Sequence, residues 1–146
     1  ALMSELFYRL LLIFHFFVLA DILLLFAVVM GLISISRFII LIIDDEEDFG
    51  LLLKLFFEKK KCEVCVAYNI ADGMKALLDF NPDYIFLDNS LPDGNGWGQT
   101  EFILQNYPEC QLNLVSAYRV PKTSAATFRI IEKPISVSDL EIWFNS

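Results

Sequence analysis

The apolar run Phe38-Ile39-Ile40-Leu41-Ile42-Ile43 stops abruptly at Asp44-Asp45-Glu46-Glu47-Asp48. A short, continuous, β-branched run is the pattern of a strand buried on both faces, and here it delivers a cluster of acids to the strand's carboxyl end. A strand covered on both sides needs helices above and below it. That narrows the chain to an α/β sheet before any other residue is considered.

The rest of the chain repeats the unit. Phe49, Leu52, Leu53 and Phe56 recur at helical spacing after the acids. The basic run Lys59-Lys60-Lys61 suits the end of that helix, where cations complement the dipole. A second strand is predicted near Cys62–Tyr68, with Asn69 capping a helix whose apolar face is Ile70, Met74, Leu77 and Leu78. Asn81-Pro82-Asp83 ends that helix. The third strand, Tyr84–Leu87, delivers Asp88 into a loop rich in proline and glycine, and a helix from about Trp97 to Asn106 is closed by Pro108. The fourth strand, Leu112–Val115, ends at Ser116. Ala117–Thr127 is a weak helix candidate, and the fifth strand lies near Phe128–Ile131, ahead of Glu132-Lys133-Pro134. Ser136 or Ser138 caps a last helix, with Ser138 and Glu141 at capping-box spacing. Strands alternating with helices imply a parallel sheet.

In an open parallel sheet, ligands bind beyond the carboxyl ends of the strands. Those ends carry Asp44 and Asp45, Asp88, Ser116 and Lys133. Three carboxylates at one rim repel one another. A hard divalent cation relieves that repulsion, and Mg²⁺ suits one or two carboxylates together with waters and a phosphoryl group. A carboxylate can be a nucleophile and form an aspartyl phosphate. Phosphoryl transfer then needs its equatorial oxygens neutralised. Mg²⁺ can take one oxygen, the Lys133 ammonium a second, and the Ser116 hydroxyl with a backbone N–H the third. The residue set is sufficient for that chemistry.

In this order on alternating strands, IIDDEED, FLDNSLPDGNGW, Ser116-Ala117 and Glu132-Lys133-Pro134 resemble the receiver domain of two-component response regulators, from about Arg37 to Ser146. The resemblance implies a flavodoxin-like, doubly wound, five-stranded parallel sheet of order 2-1-3-4-5. It implies that Asp88 accepts a phosphoryl group from a histidine kinase or phosphotransfer protein, and that the domain hands the signal to a downstream effector. Asp45 and Asp88 would bind Mg²⁺ directly, Asp44 through water, and Ser90 through its backbone carbonyl. Ser116 would be the switch hydroxyl and Lys133 the partner of the phosphoryl group, with a cis Lys133-Pro134 bond. Pro92 and Gly96 would shape the loop after the acceptor. Such a domain is no turnover enzyme; it carries only self-phosphorylation and self-dephosphorylation chemistry.

Two features depart from the family. The interval from Ser116 to Lys133 is short, so the receiver's fourth helix is expected to be shortened or irregular. The family's switch aromatic is Ile130 here, with Phe128 or Tyr118 as substitutes. Both departures lie on the face receivers use for output, and they motivate an alternative: a degenerate receiver that only binds a partner. A haloacid-dehalogenase-like phosphohydrolase fits less well. It would place its nucleophile after the first strand in a D-x-D pattern, where this chain has Asp44-Asp45-Glu46.

The chain is 56% apolar, and the excess sits in the first 36 residues. Leu10–Ser36 is long and apolar enough for a transmembrane helix, with Asp21 and His15 as polar costs. Arg37, Lys54 and Lys59–Lys61 follow it, which places the C-terminal part in the cytoplasm by the positive-inside rule. A soluble packing helix and a non-native extension are the other readings of 1–36, because no linker separates it from the first strand. The expected division is therefore an apolar segment, 1–36, and a receiver domain, 37–146, standing alone or belonging to a longer protein. A formal net charge of -8 argues against nucleic-acid partners. Cys62 and Cys65 spell C-x-x-C, but positions i and i+3 of a strand point to opposite faces, which argues for core thiols rather than a metal site.

Overall fold

The computed structural model describes residues 1–32, 37–117 and 128–146. The helix expected within 117–127, and Tyr118 with it, therefore lie outside the described residues, apart from Ala117 itself. The chain forms two compact units, 1–36 and 37–146.

The first unit contains α1 (Leu2–Leu32), one helix of 31 residues. Its large apolar side chains are exposed on every face from Leu2 to Val29. Over Leu2–Val29 it is long and apolar enough to cross a membrane. At its amino end Arg9 pairs with Glu5 at 3.3 Å.

The second unit is built on β1 (Ile39–Ile43), β2 (Glu63–Ala67), β3 (Tyr84–Asp88), β4 (Gln111–Ser116) and β5 (Arg129–Glu132). They form one parallel sheet in the order β2-β1-β3-β4-β5, as the resemblance implies. Between them run α2 (Glu47–Lys59), α3 (Ile70–Phe80) and α4 (Trp97–Asn106), with α5 (Val137–Phe144) last. Successive strand residues face opposite sides, and the core splits accordingly. Leu41, Ile43, Ile85, Leu87, Leu112 and Leu114 pack with Leu77 of α3 and Ile103 of α4. Ile40, Ile42, Phe86 and Val115 pack with Phe57 of α2 and Leu140 of α5. Both faces are covered, which is why these strands read as unbroken apolar runs.

The α5 side is fixed by aromatic packing. Trp143 lies 4.9 Å from Phe86, 5.3 Å from Tyr84 and 5.7 Å from Phe57 between ring centroids, and its Nε1 donates to Asn113 Oδ1 at 3.0 Å. Cys62 packs on the α2 side and Cys65 on the other, so the C-x-x-C pair does not converge. Burial pushes these thiols up, and Cys110 to about 12.

One sequence expectation is corrected and one open choice is resolved. Leu78 does not join the apolar face of α3; it is 73% exposed, and Gly73, Ala76 and Leu77 are buried instead. The helix lies so close to β1 that a Cβ on Gly73 would come within 2.5 Å of Ile43 Cδ1. Turning the glycine to the sheet turns Leu78 to solvent. The last helix is capped by Ser136, not by the Ser138–Glu141 pair. Ser136 keeps an extended backbone, accepts from Asp139 N–H, and forms a capping box with Asp139. Phe57, which the spacing argument did not single out, is fully buried between α2 and the sheet.

Candidate functional site

Three strand ends are each held by one further backbone bond beyond the sheet ladder. Asp44 N donates to Ala67 O at 3.0 Å, Asn89 N to Val115 O at 2.8 Å, and Lys133 N to Ser116 O at 2.9 Å. The acids and the lysine therefore leave the sheet from fixed positions on one rim. The Lys133 ammonium reaches back across it. Its Nζ is 2.8 Å from Asp44 Oδ2 and 3.1 Å from Asp88 Oδ1. It also lies 2.7 Å from Glu46 Oε1 and 4.5 Å from the centre of the Phe49 ring.

The carboxylates are oriented by backbone donors. Ser90 N donates to Asp88 Oδ2 at 2.7 Å, and Glu46 N to Asp44 Oδ1 at 2.9 Å. One oxygen from each of Asp44, Asp45 and Asp88 falls within 4.8 Å of the others. Asp44 and Asp88 are buried and Asp45 is exposed, so the cluster opens to solvent on the Asp45 side. Ser116 is buried at the end of β4, one residue beyond Val115, which pairs with Asp88. The Lys133-Pro134 bond is cis.

The loop after Asp88 is built to hold that residue in place. Asn89 Oδ1 accepts from Trp97 N at 2.9 Å, so the residue after Asp88 satisfies the first amide of α4. Gly96 passes so close that a Cβ there would collide with the carbonyl oxygen of Asp88. Leu91 and Gly94 close the turn with reciprocal backbone bonds of 3.0 and 3.2 Å. Asp93 accepts from Ile70 N at 2.8 Å and Ala71 N at 3.0 Å, tying the loop to the amino end of α3. The Ile70 amide in particular holds the Asp93 carboxyl below the usual carboxylate range.

Every residue singled out from the sequence for the acid–lysine cluster is at this rim. The sequence reading missed Glu46, Phe49, Asn89 and Asp93. Glu46 was visible only as one acid in a run of acids. Asp93 has partners more than twenty positions away and left no local signal. Of the proposed substitutes for the switch aromatic, Phe128 is half-buried with its ring 5.7 Å from that of Trp97, and Ile130 lies half-buried in β5.

Electrostatically the site holds more negative charge than one lysine neutralises. Burial raises the Asp44 carboxyl above its ordinary value, although Lys133 opposes the shift. Burial alone would lower the Lys133 ammonium; the neighbouring carboxylates of Asp44, Glu46 and Asp88 outweigh it, and the lysine is held above its usual value. Asp44 Oδ2 is close to Nζ, yet among the described residues no donor reaches it at a hydrogen-bonding angle. Oxygen-only donors, a carboxylate excess and a buried oxygen with unused capacity fit a hard divalent cation such as Mg²⁺.

A doubly wound parallel sheet with this rim defines a flavodoxin-like protein carrying a carboxylate–lysine site. More specifically, the chain belongs to the response regulator receiver domain family, whose model matches residues 40–143. It is 28% identical over 110 residues to the response regulator protein PilR of Pseudomonas aeruginosa, covering 72% of this chain and 25% of PilR. It is 26% identical to the photosynthetic apparatus regulatory protein RegA of Cereibacter sphaeroides, covering 69% of this chain and 58% of RegA. The chain thus spans a quarter of PilR and less than two thirds of RegA. A CheY-like receiver domain from Methanospirillum hungatei superposes with a TM-score of 0.69 at 24% identity, covering 75% of this chain and 92% of its own. A two-component response regulator from Clostridium difficile gives 0.67 at 25% identity, covering 75% and 93%. Residues 40–143 are therefore a response regulator receiver domain. Receivers are in general signalling domains rather than enzymes, and the family typically binds Mg²⁺ at an acidic pocket.

Proposed function

We propose that residues 37–146 form a phosphorylation-dependent receiver in which Asp88 accepts a phosphoryl group from the phosphohistidine of a histidine kinase or phosphotransfer protein. The observation that carries this reading is the Lys133 ammonium lying 2.8 Å from Asp44 and 3.1 Å from Asp88 at one rim. In the transfer, an Asp88 carboxylate oxygen forms a P–O bond as the donor's P–N bond breaks. The departing imidazole keeps the electron pair and takes up a proton. Lys133 would neutralise one phosphoryl oxygen, and the Ser116 hydroxyl would turn onto another. Asp45 and Asp88 would hold Mg²⁺ directly, Asp44 through water and Ser90 through its carbonyl. Mg²⁺, when bound, neutralises charge on the transferred group. The domain's only chemistry in this reading is its own phosphorylation and the hydrolysis of its acyl phosphate.

The test is incubation of the full chain with acetyl phosphate and Mg²⁺. Intact-mass measurement should show one added phosphoryl group that is labile to hydroxylamine and absent from Asp88→Asn. Equal labelling of Asp88→Asn would refute the assignment. A binding-only receiver is the second reading, favoured by Ile130 in place of the family's aromatic; failure to bind Mg²⁺ at millimolar concentration would select it. The reading also places the receiver in the cytoplasm, with 10–36 contacting a membrane and a downstream effector as output partner. The length and apolarity of α1 support the tether, and retention of the chain in the soluble fraction after vesicle flotation would remove it.

A further inference from the structure

Resting on that reading, we propose that Glu46 is a positioning residue: a removable latch that occupies the phosphoryl-binding position of Lys133 while Asp88 is unmodified. An ammonium has three N–H donors and no acceptor. Three carboxylates surround the Lys133 ammonium, Asp44 at 2.8 Å, Glu46 at 2.7 Å and Asp88 at 3.1 Å, and Glu46 Oε1 accepts a hydrogen bond from it. The Phe49 ring lies against the same ammonium. A phosphoryl oxygen approaching this ammonium therefore meets a donor that Glu46 already holds.

The three are not equivalent. Asp44 and Asp88 are almost wholly buried, and both are anchored by backbone N–H groups. Releasing either from Lys133 leaves a buried charge uncompensated, which is costly. The Glu46 side chain is 63% exposed and has water waiting for it. An exposed ion pair of this kind is weak, so Glu46 is the partner that leaves. Modification of Asp88 also drives it out, because the carboxylate's single charge becomes a phosphoryl group of about two charges beside the same lysine. Glu46 thus competes with the phosphoryl group for one donor and sets how readily the modified state forms.

The test uses beryllofluoride with saturating Mg²⁺, standing in for the phosphoryl group on Asp88, titrated against the full chain by tryptophan fluorescence. Glu46→Gln and Glu46→Ala should lower the half-saturating beryllofluoride concentration by about two- to fivefold, the span open to an exposed pair. Glu46→Asp keeps the charge but loses a methylene of reach; if direct contact matters, it should behave like alanine. The Lys133 ammonium ¹⁵N signal should shift on beryllofluoride binding in the unmodified chain and should already be displaced in Glu46→Ala. Unchanged half-saturation in all three variants would overturn the latch. So would weaker binding, which would make Glu46 a helper of the bound state. If the unmodified chain itself neither binds beryllofluoride nor labels on Asp88, the receiver chemistry proposed above fails first, and the latch falls with it.

Discussion

Replacing Lys133 by methionine removes the one ammonium that the described residues bring to the rim and keeps most of the side chain's bulk. Asp44 and Asp88, with side chains 2% and 6% exposed, then face each other with no cation between them. Breaking a buried ion pair from one side costs about 3–5 kcal/mol. The lower end, about 3 kcal/mol, is expected here, because the Asp45 and Glu46 side of the rim is open to water. That is a large fraction of the roughly 5–15 kcal/mol that holds a domain folded. The pH dependence has a definite sign. Asp44 already sits above its ordinary pKa through burial, and losing Lys133, which holds it down, raises it further. A carboxyl raised in the folded state destabilises at pH above its folded value and is relieved as pH falls through that value. The deficit of Lys133→Met should therefore shrink as pH falls through the raised value of Asp44. Added Mg²⁺ should stabilise the variant itself, by about 1.4 kcal/mol at ten times its dissociation constant if it binds only the folded state. Urea unfolding followed by the fluorescence of Trp97 and Trp143, with the full chain in a mild detergent, measures all three. A deficit under about 1 kcal/mol at pH 8, or one that grows on acidification, would refute the account of the rim as a carboxylate excess balanced by one lysine.

Two further measurements probe the scaffold. Gly96→Ala puts a methyl group against the Asp88 carbonyl, so it should cost about 1–3 kcal/mol in urea unfolding and slow acetyl-phosphate labelling; an unchanged midpoint would show that the loop yields freely. Ser136→Ala should cost about 1 kcal/mol and Ser138→Ala almost nothing, since only the first caps α5. The Ser136 hydroxyl and amide hold the Asp139 carboxyl below its ordinary value, so its contribution is present above the unfolded pKa and is lost as pH falls through the folded one. Asp139→Asn and the unmodified chain should accordingly converge in stability toward acid pH.

How much of this was legible depends on whether the deciding interaction is local. Strand ends were legible because a buried parallel strand has to be apolar until it leaves the sheet, so Ile43-Asp44 and Leu87-Asp88 mark their own boundaries. The cap of α5 was not. Ser136 has Asp139 three residues on and Ser138 has Glu141, so the local chemistry offers both, and the choice falls to where buried Ile135 and Leu140 place the backbone. The face of α3 was misread at Leu78, because closeness to Ile43, not apolarity, decides which residue turns inward, and a glycine carries no hydrophobic signal. Within Asp44–Asp48 every acid looks alike in sequence. Only the path from β1 into α2 decides that residues 44 and 46 meet Lys133 while Asp45 stays at the open side of the cluster.

The carboxylate of Asp93 has a consequence for motion. By taking up the first amides of α3, it moors the segment after Asp88 to the helix on the β1–β2 side of the sheet. That segment cannot swing outward without stripping the helix of its opening hydrogen bonds. An outward movement of that segment would thus leave the start of α3 to be satisfied by water.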